Sequence, residues 1–198
     1  MKNNIIIYSG ILLLALSVYG IFHASRVVLA QNLYSRAKYG TPSVASQTIL
    51  DLCGKASRLY GHNYYVCILA AEAAYYEGLI TTAGDASKHI TEAQKWCDKG
   101  LELNCYRMPL RRLKAFLLAR TSPADAAHYW EKFVDWQYWE PSNHALLVEL
   151  YALSGQYEKA VDSLALIKDT SDYQAAGMKL NEAWKKEKDF PAELSGKR

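Results

Sequence analysis

Two windows in the C-terminal half of the chain carry the same pattern of side-chain size 34 residues apart. Leu113, Leu117, Ala126, Trp130 and Phe133 recur as Leu147, Tyr151, Ala160, Leu164 and Ile167. A weaker copy upstream sets Ala93, Cys97 and Gly100 in register with Ala126, Trp130 and Phe133, offset by 33. The small residue of each copy marks where two helices touch, and the large ones fill the gaps beside the contact. A unit of this length cannot bury its apolar face alone, so successive units must stack.

The stretch from Leu146 to Leu164 resembles a tetratricopeptide repeat, with Leu147, Tyr151, Gly155, Tyr157, Ala160 and Leu164 at that family's spacings and Val148 where it usually has glycine. The window from Leu110 to Phe133 is similar in its large and small residues but has Thr121 in place of the turn glycine and Pro123 opening the second helix. Ala93 to Asn104 looks like the end of a repeat, followed by Cys105 where proline is common. The resemblance covers about half of the chain. It implies an all-α fold of tetratricopeptide-like antiparallel helical hairpins, a right-handed α-solenoid, whose common role is to hold other proteins. Function nevertheless resides in sites placed on a fold.

Periodicity predicts helices throughout and no strands, since apolar runs such as Ala70 to Tyr76 space their contacts by three and four. The spans read are 43–59, 63–80, 85–100, 109–120, 123–138, 142–153, 156–168 and 172–188. Ser122-Pro123-Ala124-Asp125 combines an N-cap, a proline at the first helical position and an acid in the first turn. The last helix, with a polar side of Lys179, Glu182, Lys185, Lys186, Glu187 and Lys188, reads as the solvent-facing cap of a helical array.

The N-terminus is of another kind. Between Lys2 and Arg26 there is no Asp, Glu, Lys or Arg, and Ile5 to Phe22 is almost wholly apolar, enough to cross a hydrocarbon core of ~30 Å as one helix. This predicts a transmembrane anchor at 5–25 behind a short flank, 1–4, and ahead of a membrane-proximal helix and linker, 26–41. The helical domain then runs over 42–190 with a tail at 191–198, and Gly40-Thr41-Pro42-Ser43 marks the boundary. Val28-Leu29-Ala30 before Gln31 also satisfies the small-residue rule of a cleaved signal peptide, although the apolar run is longer than a signal core and Arg26 interrupts the approach.

Orientation draws opposed arguments. Lys2 stands on one side of the segment and Arg26, Arg36 and Lys38 on the other, a balance that keeps the C-terminal region in the cytoplasm. Cys53 and Cys67 lie nearly equidistant from the turn Tyr60-Gly61-His62-Asn63, and Cys97 and Cys105 flank the next break. Such placement suits a disulfide across a hairpin and an oxidising, periplasmic compartment, with buried thiols as the alternative. The cysteines together with the signal-like N-terminus favour an exported domain.

Little in the chain points to chemistry. The net charge of +3, from 23 basic and 20 acidic residues, is too balanced for nucleic acid. His23, His62, His89, His128 and His144 are scattered, with no HExxH or Cys-x2-Cys spacing for a metal. No glycine-rich loop follows a strand, and no cofactor is implied. A nucleophilic Cys97 with His89 or His128 needs a proximity that sequence does not give.

Two surfaces are candidates for partners. The resemblance implies that first helices line a concave groove, which places Met108, Arg111, Ala115 and Leu118, then Ser142, Ala145, Glu149 and Ala152, along it. Arg107, Arg111, Arg112 and Lys114 make that stretch basic and suited to an acidic segment of a partner protein. The second is aromatic: Tyr129 and Trp136, seven apart on one helical flank, with Trp139 near the helix end. The function these features predict is a membrane-anchored interaction scaffold or assembly factor at the cell envelope, a non-enzyme within a membrane-associated protein complex. The alternatives are an accessory subunit for envelope polysaccharide export or polymerisation, and an enzyme with a composite site.

Overall fold

The computed structural model describes residues 2–40, 45–81 and 83–188. These form nine helices and no strand: α1 (Lys2–Tyr39), α2 (Ser46–Leu59), α3 (Tyr64–Ile80), α4 (Ala83–Leu103), α5 (Met108–Ala119), α6 (Pro123–Val134), α7 (Pro141–Leu153), α8 (Tyr157–Ala165) and α9 (Asp172–Lys188). The all-α class follows the sequence expectation. Thr41, Pro42 and Ser43 of the predicted boundary, and the 191–198 tail, lie outside the described residues. The chain divides into two compact units, Met1–Arg111 and Arg112–Arg198.

In the first unit α1 is one continuous helix, ~57 Å long at 1.5 Å per residue. Its halves differ. From Ile7 to Phe22 the apolar side chains are exposed all round, Leu14 at 67% and Ile21 at 69%, and the helix is long and apolar enough to cross a membrane. Beyond Arg26 it buries Ala30, Tyr34 and Ala37, spaced by four and three, and packs on α2. Ala30, the last residue before the sequence's cleavage-like junction, is only 2% exposed.

The chain then folds back and forth, α2 on α3 and α3 on α4. Asn63 caps α3 by accepting from Tyr65 N at 3.0 Å. The pair of α3 and α4 is close because its contact is built of small residues: Cys67, Ala70, Ala71, Ala74 and Gly78 face a partner that buries Ala93, Cys97 and Gly100. A Cβ added to Gly78 would lie 2.9 Å from Ile90 Cδ1. One added to Gly100 would lie 2.9 Å from Cys67 Cβ and 2.5 Å from Leu110 Cδ1.

The cysteine pairing expected from sequence is corrected here, since all four cysteines are thiols. Cys97 is fully buried and its Sγ donates to Leu110 O at 3.1 Å, whereas Cys105 is exposed on the turn beyond α4, so the two sulfurs occupy different environments. Cys53 and Cys67 are both buried. Burial, and then the neighbouring Cys67, push the Cys53 thiol up to about 12, and burial raises Cys67 as well. These are packed, unreactive thiols.

The second unit is centred on α7, which packs on α6, α8 and α9. The repeat positions read from sequence hold the unit together: Ala126 and Ala160 are fully buried, and Trp130, Phe133, Leu147, Tyr151 and Ile167 are each under 8% exposed. Ser122 caps α6 by accepting from Asp125 N, with Pro123 opening the helix as its sequence predicts. Gly155, in the turn between α7 and α8, has φ of 72°, and no other described residue has a positive φ. That left-handed turn lets α8 reverse directly onto α7.

Helix α6 ends at Val134, four residues short of the predicted span. Beyond it the chain tightens into i+3 bonds, Trp136 N to Phe133 O and Gln137 N to Val134 O, and side chains from the first turn of α7 hold the turn that follows: Asn143 Nδ2 donates to Gln137 O at 3.2 Å and His144 Nε2 to Tyr138 O at 2.6 Å. Trp130 Nε1 closes the junction on Asn143 O at 3.0 Å. Asn143 and His144 are the polar residues of this buried corner, and their bonds satisfy the carbonyls of Gln137 and Tyr138, which have no helical donor.

Candidate functional site

The C-terminal part of α5, α7 and α9 contribute to one groove in the second unit, with a cavity of about 220 Å³. α7 supplies Ser142, Ala145, Leu146 and Glu149 at helical spacings of three and four, so they form one stripe. α5 adds Arg112 and Phe116, and α9 adds Asp172, Ala175, Ala176 and Lys179. The floor is apolar, from Phe116, Leu146 and the alanines, and the charges stand at its rim. Small residues at 145, 175 and 176 keep it open.

Three of the residues expected along a groove, Ser142, Ala145 and Glu149, therefore do line one. Ala115 and Ala152 are buried in the second unit instead, at 0% and 3% exposure, and Leu118 is half-buried outside the cavity lining. Met108 and Arg111 belong to the first unit, where Arg111 Nε donates to Cys105 O across the turn. The arginine of the groove is Arg112, one position on. The cavity lining thus takes Ser142, Ala145 and Glu149 from the α7 set, and Arg112 and Phe116 from α5.

Electrostatically the groove is mixed and not basic. Lys179 forms an ion pair with Glu149 between side chains 52% and 24% exposed. Arg112 Nη2 donates to Ser142 Oγ at 3.2 Å, and Ser142 in turn donates to Glu140 Oε1 at 3.0 Å. Arg112 Nε is buried and has no hydrogen-bond partner among the described residues. An acceptor brought to this point, a carboxylate or a backbone carbonyl, would satisfy a donor that is costly to leave unmet.

A second polar cluster joins α6, α7 and α8. Tyr151 OH donates to Glu131 Oε1 at 2.6 Å, and Lys159 Nζ reaches the same oxygen at 3.2 Å while His128 Nδ1 lies 3.3 Å from Oε2. The tyrosine, then the lysine and histidine, hold the Glu131 carboxyl below its ordinary range against the opposing effect of burial. Burial and this carboxylate raise the Tyr151 phenol. The cluster braces α6, α7 and α8 at the surface, with the His128 and Lys159 side chains 68% and 56% exposed.

The aromatic surface is rearranged relative to its sequence reading. With α6 ending at Val134, Tyr129 and Trp136 do not share a helical flank. Tyr129 is half-buried under Lys114, whose Nζ lies 5.8 Å from the ring centroid. Trp136 is 51% exposed and tilts on Phe133, while Tyr138 and Trp139, 68% and 66% exposed, meet edge to face in the turn before α7. A larger hollow of about 710 Å³ follows α4, but its lining, Lys88, Lys95, Trp96 and Lys99 among it, comes from that one helix and does not converge on a point. No group of His, Cys, Asp and Glu among the described residues could hold a metal. No family model matches this chain, and neither a curated protein nor a solved structure does.

Proposed function

We propose that the chain is a single-pass membrane protein of tetratricopeptide-like design that holds a segment of another protein in the groove of its second unit, as a scaffold or assembly factor at the membrane. The observation that carries this reading is that alternate helices, α5, α7 and α9, share one groove while α7 also packs on α6 and α8. That is the relation expected of stacked helical hairpins, in which first helices line one side. The apolar floor with a charged rim and an unmet Arg112 donor suits an extended or helical peptide with one acidic or carbonyl anchor. The described lining has no tyrosine, so a carbohydrate ligand gains no support from it.

Membrane anchoring is supported by the wholly exposed apolar length from Ile7 to Phe22 and by the burial of Ala30 within an unbroken helix. Four thiols give no sign of an oxidising compartment. The charge asymmetry remains, and it supports helical units on the cytoplasmic side.

The test places a photoreactive amino acid at Ala145 of the full chain in its native membranes. A defined protein should crosslink there, the yield falling at least tenfold with Arg112→Gln or Arg112→Glu and holding with Asp162→Lys on the outer face of α8. Circular dichroism verifies that each variant is folded. Crosslinks indifferent to both Arg112 variants would reject the groove and turn attention to Trp136 and Trp139.

A further inference from the structure

The end of the first unit nearest the exposed half of α1 is unlike the rest of its surface. α2 runs antiparallel to α1, so the turn from α2 to α3 returns to the level at which the apolar length stops. His23 and Tyr60 meet edge to face with ring centroids 6.3 Å apart, Arg26 Nη2 donates to Arg58 O at 3.3 Å, and Asn63 Nδ2 reaches Gln31 Oε1 at 3.5 Å. The aromatic contacts continue in both directions, Tyr19 stacking on His23 and Tyr60 meeting His62.

Helix α4 brings a second turn to the same end. Arg107 lies over the rings of Tyr64 and Tyr65, 5.6 and 5.1 Å from their centroids, which puts the turn from α4 to α5 beside the start of α3. Tyr106 in that turn is 64% exposed and Tyr65 is 41% exposed. Neither turn, 59–65 or 104–108, contains an acidic residue, and α1 contains none at all. Glu102 is the nearest acid along the chain to either turn.

We propose that this end is a docking surface for the anionic phospholipid headgroups of the bilayer that α1 spans. The inference rests on α1 being inserted. Tyrosine and arginine are the side chains suited to that depth, the ring reaching towards the acyl boundary while hydroxyl and guanidinium stay among phosphates. Arg26, whose guanidinium reaches the end of α2, and Arg107, over Tyr64 and Tyr65, are positioned to meet phosphate. The surface is continuous with the lipid-facing part of α1, and its charge is opposite to the headgroups. A docked end also fixes the tilt of the first unit, which a lone helix would leave free to swing.

Cys105 is a native probe, because it is exposed next to Tyr106 whereas Cys53, Cys67 and Cys97 are buried. The full chain, spin-labelled there, is reconstituted in nanodiscs of phosphatidylcholine with or without one-quarter phosphatidylglycerol, and its accessibility to oxygen and to a nickel chelate is read by power saturation. Two references are made in a Cys105→Ser background: Leu14→Cys within the apolar length, and Ser87→Cys at the start of α4. The Cys105 label should report headgroup depth with anionic lipid, at least threefold less accessible to nickel than the Ser87→Cys label, and Arg107→Gln should reverse much of that protection.

A Cys105 label as open to nickel as the Ser87→Cys label, with the Leu14→Cys label in hydrocarbon, would overturn the docking surface and leave the anchor standing. A Leu14→Cys label in water would overturn the anchor itself. Protection of Cys105 that is equal in lipid-free detergent would indicate a protein contact and also refute the proposal.

Discussion

Gly100→Ala sets two effects of known sign against each other. Alanine in place of glycine inside a helix favours folding by ~1 kcal/mol at most, less near a helix end, and Gly100 sits in the last turn of α4. Against this, the new methyl would meet Leu110 Cδ1 at 2.5 Å and Cys67 Cβ at 2.9 Å. Leu110 has a flexible tip but is fully buried, and a Cβ of α3 moves only with its backbone. Overpacking of this kind costs ~1–3 kcal/mol, so the balance is a net loss of ~1–2 kcal/mol. Gly54→Ala is the control, since its nearest neighbour is Arg58 Nη1 at 3.8 Å and only the propensity gain remains. Thermal melts of the full chain in detergent, followed by helical circular dichroism, should show the two glycine variants shifting in opposite directions. Adding Leu110→Ala to Gly100→Ala should cost less than the sum of the two separate changes, because each relieves the other. Equal stabilisation by Gly100→Ala and Gly54→Ala would refute the close approach of α3, α4 and α5.

Tyr151→Phe should destabilise the second unit by ~1–2 kcal/mol at pH 7, the worth of a hydrogen bond to a charged acceptor. Because the folded Glu131 carboxyl is held below its ordinary 4.5, its stabilisation is fully present above that value and is lost as pH falls through the lower folded one; the gap in melting temperature between wild type and Tyr151→Phe should therefore narrow between pH 5 and pH 3, and a constant gap would disprove the coupling. Orientation is read at Cys105: a membrane-impermeant maleimide should label it in permeabilised cells and not in intact ones, and labelling of intact cells would place the helical units outside.

What the sequence made legible was whatever local chemistry decides. The small positions at 93, 126 and 160, spaced by 33 and 34, are all fully buried. α9 begins at Asp172 as Ser171-Asp172 predicts, and α6 begins where Ser122 and Pro123 put it. The misread features depend on contacts between elements. α6 gives way after Val134 to a turn that Asn143 and His144, from the next helix, hold by the carbonyls of Gln137 and Tyr138, while Trp136 to Trp139 continue an apolar pattern that mimics helix. In the groove, α7 was placed by its own stripe, whereas the side of α5 depends on Arg112 finding Ser142 across 30 residues. Lys179 and Asp172 were missed because α9 was read as a solvent cap, and the polar side of a cap carries no sign that part of it faces a groove.

The proposed groove is small, and anchoring in the membrane is what gives it use. A cavity of about 220 Å³ accommodates a few side chains, and its rim charges already partly neutralise each other through Glu149 and Lys179. A peptide held there in free solution would bind modestly, since ordering it offsets most of what so small an area returns. A partner in the same membrane meets the groove under a different condition, because tethering turns the encounter into an effectively intramolecular one at local concentrations that reach the millimolar range. That gain requires only that α1 hold the groove and its partner to the same bilayer. Partner crosslinking at Ala145 should consequently be stronger in native membranes than after dilution into detergent, while the affinity of a soluble peptide matched to the groove should be the same in both.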